Sequence, residues 1–205
     1  MNTLPALPGF TLQAYPARQD GSISLLLHTR EQTPHLLELA AYLGMRGSLL
    51  ALDGGNCFNI YTVAAALYRL APAGAGRHAF TQAVLQRIRA ARAFTCFQMA
   101  ALVHQALTLT RRMPVLALEF LTTFQDENIP LRERKRLLTI CLGDLKGLAQ
   151  SAPVLATVRA SSAQPLPAEL LNMTMEAASE IWTGAALSCN SEEAQPTRQL
   201  LLFGE

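Results

Sequence analysis

The chain has 205 residues, half of them hydrophobic and 16% charged, with a formal net charge of +2. That length points to one domain with a short appendage, and the hydrophobic share excludes a disordered chain or a long solvated helix. So small a net charge sets up no strong global field for nucleic acid, which leaves only local basic clusters to speak for polyanionic partners.

Residues 1–20 read as an N-terminal extension. Its start, MNTLPALPGF, has no basic region followed by an apolar one. No window of about 18 residues anywhere is free of charges and turn residues, so neither a signal peptide nor a membrane span is expected, and the expected location is cytoplasmic. The core then begins: SISLLLH (22–28) and SLLALD (48–53) are apolar runs too short for helices, and PHLLELAAYLGM between them has apolar residues at helical spacing, which makes a β-α-β unit. Residues 59–70 and 96–112 read as helices, 87–92 as a strand edge carrying Arg87, Arg89 and Arg92, and PVLALEF (114–120) as a buried strand. A helix over 130–150 and a strand over 153–158 complete a pattern that predicts a mostly parallel sheet covered by helices on both faces. The turn-rich ASSAQPLP after Arg159 marks the end of a core at 21–160. An appendage at 161–187 holds a helix over 168–180 and a short β-like IWTG, and residues 188–205 form a polar tail ending in QLLLF.

The cysteines Cys57, Cys96, Cys141 and Cys189 form no C-x-x-C pair, which argues against a zinc site or a disulfide framework; the first three read as buried and Cys189 as exposed. His35, His78 and His104 lack Cys or carboxylate neighbours at metal-ligand spacing. No G-x-S-x-G or other nucleophile set is present.

RIRAARAFTCFQMAALVHQAL (87–107) followed by PVLALEFLTTF resembles the central part of the RecA/RadA strand-exchange family, with an A-R-A-F strand, a helix opened by a Gln-containing turn, and then a Walker B strand. Upstream, GSISLLLHT is similar to the strand that enters a Walker A loop, and SLLALDGGNCF to the strand carrying the family's D-T-E-G-x-F pattern. The resemblance spans residues 20–160 and implies a RecA-like α/β fold.

Its departures imply an inactive ATPase without a cofactor. A phosphate-binding loop needs G-x-x-x-x-G-K-[ST], whose glycines let backbone N–H groups wrap the phosphates, whose lysine reaches the terminal ones and whose hydroxyl holds Mg²⁺. HTREQTPH stands in its place without glycine or lysine, and Thr33 as N-cap with Pro34 as first helical residue would close off the helix that follows. Gly55 stands where the resemblance implies the glutamate that activates water, and Glu119 where it implies an aspartate. Glu119 retains the ability to hold a metal, whereas Gly55 cannot be a base. Together with His28, the residues Thr29, Arg30, Asp53 and Glu119 define a degenerate nucleotide face at the carboxyl ends of the strands.

Two segments are candidates for partners. Arg132, Arg134, Lys135 and Arg136 in PLRERKR follow the Walker B-like strand, where the resemblance implies a DNA-contacting loop; the alternative is a solvated helix face. Gln199, Leu200, Leu201, Leu202 and Phe203 resemble the bacterial sliding-clamp-binding pentapeptide Q-L-[SD]-L-F, with Gln199, Leu200, Leu202 and Phe203 matching; the alternative is a final strand paired with IWTG. The combination implies a non-catalytic RecA-like accessory protein in bacterial DNA repair or translesion synthesis. It would act through protein contacts with a sliding clamp or repair polymerase subunit, with weak DNA contact and self-association as further expectations. Two other functions stay open: a DNA-binding recombinase paralogue whose ATP site a partner subunit completes, and a pure scaffold with no link to DNA, which would follow if the tail were buried and the basic clusters inert.

Overall fold

A computed structural model describes residues 21–74, 76–109, 112–160 and 166–183. Six strands form one all-parallel sheet: β1 Ile23–His28, β2 Leu49–Asp53, β3 Ile88–Arg92, β4 Val115–Leu118, β5 Val154–Arg159 and β6 Glu180–Thr183, in the order β3-β2-β4-β5-β1-β6. Six helices flank it: α1 Thr33–Arg46, α2 Ile60–Leu70, α3 Arg77–Leu85, α4 Cys96–Leu109, α5 Leu131–Ala149 and α6 Ala168–Ala177. This is the expected α/β architecture, consistent with a RecA-like α/β fold.

The strands form because LLALD and VLAL are apolar throughout, and such runs suit a sheet covered on both faces; every residue of β2 and β4 is buried. Alternation divides their side chains between two layers. Ile23, Leu25, Leu52, Ala117 and Ala156 pack with α4, α5 and α6, while Leu26, Leu49, Leu116, Leu118 and Leu155 pack with α1, α2 and α3. On α5 the buried residues Leu138, Cys141, Leu142, Leu145 and Leu148 recur every three or four positions, as a helix lying on a sheet requires. Asn59 caps α2 by accepting from Tyr61 N–H at 2.9 Å, and at α4 the Phe94 N–H donates to Gln98 Oε1 at 2.8 Å while the Gln98 N–H donates to Thr95 Oγ1 at 3.2 Å. These two bonds are the physical content of the Gln-containing turn after ARAF.

Several elements differ from expectation. Helix α3 is absent from the sequence reading because RHAFTQAVL buries only Thr81 and Val84, too sparse an apolar stripe to announce itself. The strand expected at 114–120 stops at Leu118, since Glu119 adopts a left-handed conformation (φ 45°, ψ 39°) and Phe120–Phe124 coil into a 3-10 turn. The expected appendage holds both its helix and its strand, and β6 pairs in parallel with β1, extending the same sheet. Of the cysteines, Cys96 and Cys141 are buried as expected but Cys57 is only half-buried, because it lies in the loop leaving β2; Cys189 is outside the described residues.

Strand order also fixes where polar chemistry can gather. From β1 and β2 the chain runs on toward the β3 edge, whereas from β4 and β5 it runs toward the β6 edge. Neighbouring strands whose outgoing connections run in opposite senses, and so leave for opposite faces of the sheet, meet at two places, between β2 and β4 and between β5 and β1, and open parallel sheets place ligand crevices at such switches.

Candidate functional site at the carboxyl ends of the strands

The strand ends at these two places carry polar residues: Asp53 and Glu119 at the first, Arg159 and His28 at the second. Asp53 is buried and fully engaged. Its carboxylate accepts from the N–H groups of Cys57 and Phe58, each at 3.0 Å, and from Arg92 Nε at 2.9 Å, while Arg92 Nη2 donates to the Phe58 carbonyl at 2.9 Å. The residue read as the aspartate of a nucleotide face thus staples the loop after β2 to the neighbouring strand β3.

Glu119 is the opposite case. Its backbone N–H donates to Thr157 Oγ1 at 2.9 Å, yet neither carboxyl oxygen of this fully buried side chain has a hydrogen-bond partner, and its one ion pair among the described residues is a loose 3.4 Å contact with Arg159 Nε. Burial pushes the carboxyl above its ordinary range against the opposing pull of Arg159, and the neighbouring Asp53 pushes the same way as burial. Room for this side chain comes from Gly55, where a Cβ would lie 2.2 Å from Glu119 Oε2 and 2.6 Å from Glu119 Cβ. The glycine that cannot serve as a base is therefore also what admits a carboxyl from the next strand. Gly54 is pinned in the same way: its N–H donates to the Leu118 carbonyl at 2.9 Å, and a Cβ would come within 2.9 Å of Phe120 Cα.

At the β5/β1 divergence, His28 pairs in register with Arg159. The His28 ring is buried, with Nδ1 2.9 Å from the Thr29 carbonyl and Nε2 without a partner. Burial lowers its pKa first, the hydrogen bond to Thr29 opposes, and Arg159 lowers it further, so the neutral ring is favoured, with Nδ1–H donating. Thr29 and Arg30 are exposed.

The segment that stands where a phosphate loop would be is occupied by its own contacts. Residues Arg30–Gln32 form a 3-10 turn in which the Thr29 N–H donates to Gln32 Oε1 at 2.9 Å and the Gln32 N–H donates to the Thr29 carbonyl at 3.2 Å. Thr33 is not the expected N-cap. It is the first residue of α1, with helical angles and its N–H bonded to the Arg30 carbonyl, because the 3-10 turn runs directly into the helix. Pro34 sits at the second position and has no N–H to offer, and the Thr33 hydroxyl is buried without a partner. The start of this helical segment is closed by backbone continuity with the 3-10 turn and by the Gln32 side chain on the Thr29 N–H, not by Thr33 as N-cap.

Of the basic residues in 130–136, only Arg132 is exposed and free of a described contact. Arg134 is buried and donates from Nη1 to the Phe124 carbonyl at 3.1 Å, holding the end of the 3-10 turn; Arg136 pairs with Glu133 and Lys135 with Glu169 of α6. The candidate clamp-binding residues Gln199, Leu200, Leu202 and Phe203 are outside the described residues.

Sequence reasoning missed Arg159, Thr157 and Arg92 as partners of the strand-end carboxyls. The signal available was register: each stands at or near the last position of its strand, and in a parallel sheet those positions gather on one edge. His104 also gains a carboxylate partner that spacing did not suggest, Asp144 at 3.2 Å across α4 and α5. Among the described residues no group of three or more His, Cys, Asp or Glu side chains is arranged to hold a metal ion, and no helix is long and apolar enough to cross a membrane. Burial first, then Glu119 and Asp53, push the Cys57 thiol up, so the one half-buried cysteine at this edge is a poor nucleophile. No protein-family model matches this chain, and no curated protein matches it significantly.

Proposed function

We propose that this chain is a non-catalytic, RecA-like accessory protein of bacterial DNA repair or damage tolerance that works through contacts with other proteins, the sliding clamp first among them. The observation that carries the reading is the internal use of the strand ends. Asp53 is spent on the 54–58 loop and Arg92, the α1 start is closed by a continuous 3-10 turn, and Glu119 fills the space beside Gly55. Groups that a nucleotide would need are committed to the fold, which supports a chain retained for its shape and surfaces. The QLLLF tail supplies the clamp, and the exposed Arg132 leaves weak DNA contact within the reading.

Two measurements test it on the full chain. ATP turnover should be at background and unchanged by Glu119→Ala; turnover abolished by that substitution would overturn the non-catalytic part. Binding to a bacterial sliding clamp should be present for the intact chain and lost on truncation after Pro196. Equal binding or equal absence in both would remove the clamp from the reading.

A further inference from the structure

We propose that the rim at the amino ends of the strands, opposite the candidate site, is a docking surface for a short acidic segment of a partner protein. The inference rests on the reading that this chain acts through protein contacts, but it concerns a different surface from the tail. Backbone hydrogen bonds put the starts of four neighbouring strands in one row. The Leu49 N–H donates to the Arg87 carbonyl and the Leu50 N–H to the Pro114 carbonyl, both at 3.0 Å, and the Val115 N–H to the Pro153 carbonyl at 2.9 Å. Each of these strands, in the order β3-β2-β4-β5, is entered past an exposed cation. Arg87 directly precedes β3, Arg46 lies in the last turn of α1 before β2, Arg112 stands between α4 and β4, and Lys146 lies in the last turn of α5 before β5. Cations far apart in sequence stand side by side because the strands do.

No described carboxylate pairs with any of the four. Asp144, two residues from Lys146, faces His104 at 3.2 Å, and Arg46 lies over the Tyr42 ring at 5.9 Å. The carboxyl ends are the reverse, with Arg92 and Arg159 turned to Asp53 and Glu119. A cation at a helix C-terminus also offsets the helix macrodipole, as Arg46 and Lys146 do. That role does not account for Arg112, whose backbone holds φ 67°, in the left-handed region where glycine is the ordinary choice after a helix.

Chemistry selects the occupant. Three spacings of about 4.8 Å make the row about 14 Å long, which matches about four extended residues at about 3.3 Å each. Beyond it the rim turns acidic, with Glu176 in the last turn of α6 and Glu180 at the start of β6. A nucleic-acid backbone running along the rim carries its charge without a break and would pass from the cations onto these acids, whereas a short acidic peptide ends before them. Single strands also lean on exposed aromatics, but Tyr61, Phe94 and Phe97 follow the carboxyl ends of β2 and β3, and Tyr68 lies under Arg77. A peptide brings N–H donors as well as carboxylates, and α1, α4 and α5 end at this rim in carbonyls that lack intrahelical donors. Contact is made by side chains across four strand entries, not along any one strand.

The test uses the full chain and a fluorescein-labelled, end-capped octapeptide of alternating glutamate and serine, followed by anisotropy at about 50 mM salt. Saturable binding that weakens as salt rises is expected, and none for the same peptide with glutamine at each glutamate. Arg87→Glu should weaken binding at least about fivefold. Arg112→Gly separates binding from folding: it relieves φ 67°, so the thermal midpoint should hold or rise while affinity falls at least about threefold. Should Arg87→Glu fail to fold, Arg112→Gly still decides. Substitutions that move stability and leave binding untouched would overturn the proposal, as would no saturable binding up to about 1 mM. So would oligothymidylate displacing the peptide with the greater affinity, or self-association of the chain that Arg87→Glu abolishes. Clamp binding that persists while the rim proves inert would sink this inference alone and leave the proposed function standing.

Discussion

Two buried carboxyls at the same end of the sheet, on adjacent strands, have been treated by the fold in opposite ways. Asp53 receives three well-made hydrogen bonds and organises a loop, while Glu119 receives none on its carboxyl, sits in a left-handed backbone conformation and meets one arginine at 3.4 Å. The difference teaches that burial does not define a working acid. A carboxylate supplied with donors becomes a structural staple, whereas one without them resists ionisation and carries strain. Strain of this kind is held in place at the strand end by the packing around it, which includes the close approach of Gly55.

The largest effect that would break this contrast lies at Gly55. Gly55→Ala places a methyl group 2.2 Å from Glu119 Oε2, and we expect a loss on the order of 3 kcal/mol in chemical denaturation. Glu119→Gly should itself be tolerated or stabilising, since it relieves φ 45° and removes a buried acid. In the double variant most of the Gly55→Ala cost should vanish. Equal costs in both backgrounds would mean that the two residues do not compete for the same space. Asp53→Ala comes next: it leaves two backbone N–H groups and the Arg92 guanidinium without their acceptor, and about 2–4 kcal/mol should be lost. Asp53→Asn should cost less, because one amide oxygen still accepts.

Periodicity made the two-layer fold readable, because the runs LLALD and VLAL alternate with helical patterns that leave no other way to bury both faces. It also put Asp53, Glu119, Thr29 and Arg30 on one edge. What it could not convey were pairings between strands far apart in sequence. Arg92 to Asp53 and Arg159 to Glu119 depend on strand order, and nothing local in RIRAAR or VLATVR distinguishes an edge-solvating arginine from one that reaches back to a buried carboxyl. Arg134 misled for a related reason. A basic run at a helix start looks like a phosphate reader until the 3-10 turn before it is known to end in a carbonyl that needs a donor.

The pH dependence sharpens the comparison further, with smaller effects. The raised Glu119 carboxyl contributes stability that is complete below the unfolded carboxyl range and is lost as pH rises through the folded value. Replacing it by glutamine should therefore flatten the decline of stability above about pH 4.3, measured as denaturation midpoints across a pH series. An unchanged profile would mean that Arg159 compensates burial in full.

His28 should act in the opposite direction and most weakly. Its folded pKa is lowered by burial and by Arg159, so its contribution is present above the unfolded histidine value of about 6.5 and is lost as pH falls through the folded one. His28→Gln keeps a polar group at the end of β1 and cannot take up a proton, so the acid limb of the same series should become shallower while midpoints above about pH 7 move little. If the acid limb is unchanged but midpoints fall at every pH, the ring matters for its packing and its bond to the Thr29 carbonyl, not for its charge. The strand end beside Arg159 would then be neutral ground. Any anion recruited there would have to meet Arg159 without help from the histidine.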